Sequence, residues 1–176
     1  MEETLSSREI YSGQILKLRV DDVRLPNGKQ TKRETVEHSD AVAIVAIDDN
    51  ESVLLVKQFR KPVEKELLEI PAGCIEEGEE ADTTVRRELQ EETGYRPQNI
   101  KRLGGFYSTP GFCTEYMHLY LASDLVVDKL YAEDTDDIEL VRVPLQQIAE
   151  LIDSGTICDA KSIAGLLLYM STRKSG

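Results

Sequence analysis

Short apolar runs separated by polar punctuation make up most of this chain, and none is long enough to continue as one uninterrupted apolar helix. Over residues 15–25, Leu16, Leu18 and Val20 alternate with polar neighbours, the period of a half-buried strand. Pro26-Asn27-Gly28-Lys29 predicts a hairpin turn. The returning strand, over about residues 31–38, carries Lys32, Arg33, Glu34 and Glu37 and reads as an exposed edge. Residues 41–47 (AVAIVAI) are continuously apolar, which predicts a strand buried on both faces. Asp48-Asp49-Asn50 then turns the chain into a strand over residues 52–60, apolar at 53–56 and ending in Lys57, Gln58 and Arg60. An arginine at the end of a central strand is well placed to meet an anion, although a surface salt bridge is the simpler use.

Residues 67–70 lead into a Pro71-Ala72-Gly73 loop, and residues 73–95 read as a short acidic loop feeding a helix. Val85 and Leu89 supply that helix with a small apolar seam, and Gly94 stops it, with Pro97 just beyond. Strands are predicted at about 100–107, 116–122 and 138–143, the first two separated by the turn Ser108-Thr109-Pro110-Gly111. Pro144 opens a helix over 145–153 that Gly155 ends. A last helix over 159–171 carries Ile163, Leu166, Leu167 and Met170 as a core-facing stripe. Strands, a central helix, more strands and closing helices predict an α+β domain layered α-β-α. With no repeat, linker or low-complexity stretch, residues 1–176 are expected to form a single domain.

Composition narrows the partners. A chain of 176 residues with 40% hydrophobic content has enough material for one sizeable core. A net charge of -12 argues against a nucleic-acid partner, whose phosphates demand Lys and Arg patches, yet leaves room for a nucleotide neutralised by metal and a few arginines. Cys74, Cys113 and Cys158 follow neither a disulfide nor a zinc pattern. The opening MEETLSSREI is acidic and lacks an apolar run, so no signal peptide or membrane span is expected, and the location predicted is the cytoplasm. His38 and His118 have no partner spacing for a metal or a triad and read as ordinary packing or surface residues.

Chemistry concentrates on the central helix. At about 100° per residue, Glu88 and Glu92 lie about 40° apart and Glu91 about 60° to the other side, so three carboxylates share one arc. Such a face repels itself unless a hard divalent ion with oxygen ligands turns the repulsion into binding. Arg87 stands four residues before Glu91, close enough to direct its carboxylate.

Gly73, Glu79, Arg87-Glu88-Leu89, Glu91-Glu92 and Gly94 match the Nudix box position for position, with Tyr95 where the pattern usually closes on an aliphatic residue. The resemblance to Nudix hydrolases extends over nearly the whole chain and is closest to the ADP-ribose pyrophosphatase branch. It is carried there by Val56-Lys57-Gln58-Phe59-Arg60, Glu69-Ile70-Pro71-Ala72-Gly73, Tyr107-Ser108-Thr109-Pro110-Gly111-Phe112 and Asp159-Ala160-Lys161-Ser162-Ile163-Ala164. It implies the Nudix fold, a mixed sheet between helices with an amino-terminal hairpin region. It also implies Mg2+, with Mn2+ a possible substitute, on Glu88, Glu92 and the Ala72 carbonyl, with Glu91 supporting or binding a further ion. Arg87 would orient the acids and pair with Glu79. The general base would come from the acidic loop, where Asp136 and Asp134 align with the family's acids and Glu133 is a substitute. Asp136 is one methylene shorter than the glutamate common there. Arg60 would hold a phosphate, Arg33 and Glu34 would lie near the base or ribose, and Pro110 with Gly111 would mark a preference for ADP-ribose.

The resemblance therefore implies hydrolysis of ADP-ribose to AMP and ribose 5-phosphate by a homodimer that exchanges amino-terminal strands within residues 1–38. Another nucleoside diphosphate derivative (a nucleotide sugar, NADH or a diadenosine polyphosphate) is the alternative substrate, and a non-catalytic ADP-ribose-binding module the alternative class. The intact box favours the enzyme.

Overall fold

The structure, a computed structural model, describes residues 1–132, 135 and 137–173. Its Cα framework separates into two units, Met1–Asp40 with Tyr107–Tyr116, and Ala41–Phe106 with Met117–Gly176.

The first unit is built on a three-stranded antiparallel sheet, β1 (Glu3–Ser12), β2 (Leu16–Arg24) and β3 (Gln30–His38), in that order. The turn at Asn27 and Gly28 forms as its sequence predicts, with Gly28 at φ 83° and the Leu25 and Lys29 backbones bonded across it. β1 was not legible in the apolar pattern. It is exposed at every position and held by its ladder to β2 and by polar pairs such as Ser7 to Asp21 at 2.6 Å. The turn containing Pro110 and Gly111 belongs to this unit, and Val36 donates its N–H to the Phe112 carbonyl at 2.7 Å.

The second unit is a mixed sheet between helices. Its strands are β4 (Ala41–Ile47), β5 (Ser52–Arg60), β6 (Lys65–Glu69), β7 (Ala72–Cys74), β8 (Tyr95–Tyr107), β9 (Tyr116–Val127) and β10 (Glu139–Pro144). They run in the order β10-β5-β4-β9-β8, with β6 on β5 and β7 on β4. β4 pairs parallel with β9 and antiparallel with β5 and β7.

Because β4 is buried at every position, its alternate residues serve two cores. Val42, Ile44 and Ala46 face Val85 and Leu89 of helix α1 (Ala81–Thr93). Ala43, Val45 and Ile47 join Ile148 of α2 (Ile148–Asp153) and Leu166 and Tyr169 of α3 (Ala160–Arg173). The α+β class and the α-β-α layering expected from the sequence are thus realised.

Several boundaries shift. β8 begins at Tyr95, directly after the helix stop, and β9 runs on to Val127. The expected helix over 145–153 starts as a 3-10 turn at Leu145–Gln147 before becoming α2. On α3, Leu167 is exposed, and Tyr169 takes the core position instead. No helix of the described residues is long and apolar enough to cross a membrane.

Candidate active site

α1 ends where its sequence says it should. Gly94 adopts φ 76°, a left-handed conformation that side chains resist, and donates its N–H to the Gln90 carbonyl at 3.0 Å. Val85 and Leu89, both fully buried, fix the helix's rotation against the sheet. That rotation turns Arg87, Glu88, Glu91 and Glu92 toward the loop between β6 and α1.

Arg87 is the hub of the acidic face. It grips Glu79 through two hydrogen bonds, at 3.0 and 2.9 Å, and also reaches Glu88 at 2.7 Å, Glu91 at 3.2 Å and the Cys74 carbonyl at 3.2 Å. These bonds hold the Glu79 carboxyl down at about 2 and raise the guanidinium above its ordinary value. The pairing of Arg87 with Glu79 and its i,i+4 bond to Glu91 follow the sequence expectation.

Glu92 lies under different forces. Burial, reinforced by the charge of Glu88, pushes its carboxyl up to about 8, against the Ala72 N–H it accepts at 3.1 Å and the positive charges of Arg60 and Lys161. Beside it, Glu88 lies tight against the main chain of the loop. A Cβ on residue 73 would stand 2.0 Å from the Glu88 carboxyl carbon, so only glycine lets the helix and loop come this close. The loop is itself anchored, for the Pro71 carbonyl accepts the Ile44 N–H at 2.9 Å and Ser162 Oγ accepts the Ile70 N–H at 2.8 Å.

These residues suit a hard divalent cation. Glu88 and Glu92 supply adjacent carboxylates one helical turn apart, packed against a backbone stripped of side-chain bulk at Gly73. Among the described residues, no three acidic, histidine or cysteine side chains converge as a finished metal cage. Glu88 and Glu91 both accept from Nη1 of Arg87, at 2.7 and 3.2 Å, so one guanidinium directs both carboxylates.

The other predicted residues distribute as follows. Arg60, at the end of β5, is engaged with buried Glu69, donating from Nε at 2.9 Å and from Nη2 at 2.7 Å. Arg33 is ion-paired with Glu2, and Glu34 is exposed on β3 beside it. Pro110 and Gly111 sit on an exposed turn. Arg33, Glu34, Pro110 and Gly111 all belong to the first unit, and the acidic face to the second. Glu133, Asp134 and Asp136 lie outside the described residues.

Sequence reasoning overlooked the ionic cluster behind Arg60. Glu69 is 1% exposed, an unusual place for a carboxylate, and it also accepts a hydrogen bond from Lys161. Lys161 is bonded in turn to Asp159 at 2.9 Å. The available signal was a charged residue inside the apolar run Leu67-Leu68-Glu69-Ile70, since a charge in such a run needs a buried partner.

Comparison with known proteins agrees with this construction. A model of the NUDIX domain matches residues 37–166, and one of a nucleoside diphosphate sugar hydrolase N-terminal domain matches residues 2–36. The chain is 43% identical over 176 residues to an ADP-ribose pyrophosphatase of Bacillus subtilis (strain 168), covering 99% of this chain and 95% of that protein. It is 41% identical over 164 residues to a methanol dehydrogenase activator of Bacillus methanolicus, covering 92% and 89%. A crystal structure of an ADP compounds hydrolase superposes with a TM-score of 0.91 over 99% of this chain and 95% of that one, at 22% identity, which speaks to fold alone. With a NUDIX model across most of its length and a relative this similar end to end, the chain belongs to the Nudix hydrolase family.

Proposed function

We propose that this protein hydrolyses the diphosphate bond of ADP-ribose, giving AMP and ribose 5-phosphate, with Mg2+ as cofactor and Mn2+ as a substitute. The observation that carries this reading is the Glu88 and Glu92 pair held against the Ala72-Gly73 main chain. A bound divalent ion would neutralise the diphosphate oxygens and acidify an attacking water. Glu88, Glu92 and the Ala72 carbonyl would hold that ion, and Glu91 would support it. Arg87 and Glu79 orient the acids, Arg60 meets a phosphate, and the base comes from Glu133, Asp134 or Asp136. Arg33 and Glu34 would lie near the base or ribose, and Pro110 with Gly111 would mark the preference for ADP-ribose.

The choice of ADP-ribose is supported by the pyrophosphatase relative of Bacillus subtilis and by the Pro110 turn. A nucleotide sugar is the second reading, favoured by the match of residues 2–36 to a nucleoside diphosphate sugar hydrolase N-terminal domain.

The whole chain is read as one Nudix domain whose first 38 residues serve dimerisation. β1, exposed throughout, with Leu5, Ile10 and Tyr11 among its exposed apolar side chains, supports a homodimer with exchanged amino-terminal strands. Three cysteines, none in a disulfide among the described residues, support a reducing, cytoplasmic setting.

The deciding experiment offers ADP-ribose, GDP-mannose, NADH and a diadenosine polyphosphate to wild type and Glu92→Gln, with Mg2+. ADP-ribose should lead, and the variant should lose turnover. A lead by GDP-mannose would transfer the assignment to nucleotide sugars, and binding of ADP-ribose without cleavage by wild type would make the protein a sensor.

A further inference from the structure

Arg60, Glu69, Lys161 and Asp159 form a chain of ion pairs with two charges of each sign. Asp159 caps α3, accepting the Ser162 N–H at 3.1 Å, and with the same oxygen accepts from Lys161. Lys161 passes the connection to Glu69. The two Glu69 oxygens receive Nε and Nη2 of Arg60, the side-on fork that fixes a guanidinium in one plane.

The exposures along this network are graded. The Glu69 side chain is 2% exposed, Lys161 14% and Arg60 39%, so the carboxylate is buried behind the arginine and the arginine alone opens outward. A guanidinium has five N–H donors, and this fork consumes two. Among the described residues nothing takes the remaining three, both on Nη1 and one on Nη2, which are left for an anion on the open side. Glu69 stands three residues before Ala72, whose N–H donates to Glu92 at 3.1 Å, which puts the network beside the acidic face.

We propose that Glu69 is a positioning residue for substrate: held by Lys161 from α3, it locks the Arg60 guanidinium so that its free edge is presented to a phosphate of the nucleoside diphosphate. This rests on the reading of the acidic face as a nucleoside diphosphate hydrolase site. A free arginine side chain must give up rotamer freedom to bind, whereas one already clamped has little left to lose. A neutral glutamine at 69 keeps the size of the side chain but offers one oxygen and one repelling amide, so it cannot hold the fork.

The test is a double-mutant cycle over Arg60→Gln and Glu69→Gln, read as KM and kcat for ADP-ribose and as calorimetric affinity for ADP, with thermal melts to verify folding. Each single variant should raise KM and weaken ADP about tenfold or more, with kcat changed by less than about threefold. The double variant should be no worse than Arg60→Gln alone, because Glu69 acts through Arg60. Should Glu69→Gln not fold, Glu69→Gln with Lys161→Met keeps the network neutral and carries the same test. Additive losses, or a loss confined to kcat, would make Glu69 a structural residue and overturn the proposal. If wild type cuts ADP-ribose but Arg60→Gln binds it unchanged, this inference fails and the assigned activity survives. A wild type that neither binds ADP nor cuts any nucleotide of the panel overturns both.

Discussion

Two ionic clusters lie in the same α/β unit, and they are built on opposite rules. On α1 and its preceding loop, Glu79, Glu88 and Glu91 gather round the single guanidinium of Arg87, and Glu92 feels the charge of Glu88. Around Glu69, two cations meet two carboxylates. The second cluster balances its own charges. The first has more negative charge than its own residues neutralise, and Glu92 shows the cost as a carboxyl pushed up to about 8 by burial and by Glu88. Excess charge of this kind is useful only when a cation supplies the balance.

The contrast is broken most sharply by neutralising one acid in each cluster. Glu92→Gln should reduce hydrolysis by about a thousandfold or more while leaving the thermal midpoint unchanged or higher, because a self-repelling acid is removed. Glu69→Gln should cost about 3 kcal/mol of stability, because it leaves the largely buried Lys161 with Asp159 as its one carboxylate and strips the partly exposed Arg60 of its partner. Parallel thermal melts and initial rates check both. Equal stability losses would mean that the two clusters do not differ in kind.

Gly73→Ala follows in size. Its new Cβ would stand 2.0 Å from the Glu88 carboxyl carbon, so that side chain must move away from the loop. A displacement of about 1 Å is worth about a hundredfold in rate. The expected result is a large fall in kcat with circular dichroism unchanged.

Next is the cation itself. Mg2+ at a hundred times its dissociation constant should stabilise wild type by about 2.7 kcal/mol, seen as a rise of several degrees in melting temperature. Glu88→Gln with Glu92→Gln should abolish that rise.

The last effect is in acid. The Glu79 carboxyl, at about 2 against an ordinary 4.5, is depressed by folding, so its contribution is complete above about pH 4.5 and is lost as pH falls toward 2. The stability gap between wild type and Arg87→Gln, with linkage setting a ceiling on the order of 3 kcal/mol, should therefore narrow over that window in urea titrations run without metal. A gap that stays constant from pH 6 to pH 2.5 would show that Arg87 stabilises the fold by other means.

Legibility followed the range of the interactions involved. β4 was readable from AVAIVAI because burial on both faces leaves no polar position to break the run. Glu79, Arg87 and Glu91 were readable because a turn and a helix convert short spacings into contacts. β1 was not, since a strand exposed at every residue has no apolar alternation to display. Leu167 was misread because one helical step, about 100°, separates a core position from solvent, and the seating of α3 on the sheet decides which residue lies inside.

By itself, then, the sequence determined the layered architecture, the buried central strand, the stop at Gly94 and the acid arc of α1, all of which arise from local periodicity and backbone preference. Tertiary structure alone decided that Gly73 would admit the Glu88 carboxylate, that Glu92 would meet the Ala72 N–H, and that Arg60 would be clamped by Glu69 and Lys161. The last of these joins residues 92 positions apart, from β6 and α3. No spacing rule reaches that far, because such a contact exists only after the sheet and its helices have closed over the core.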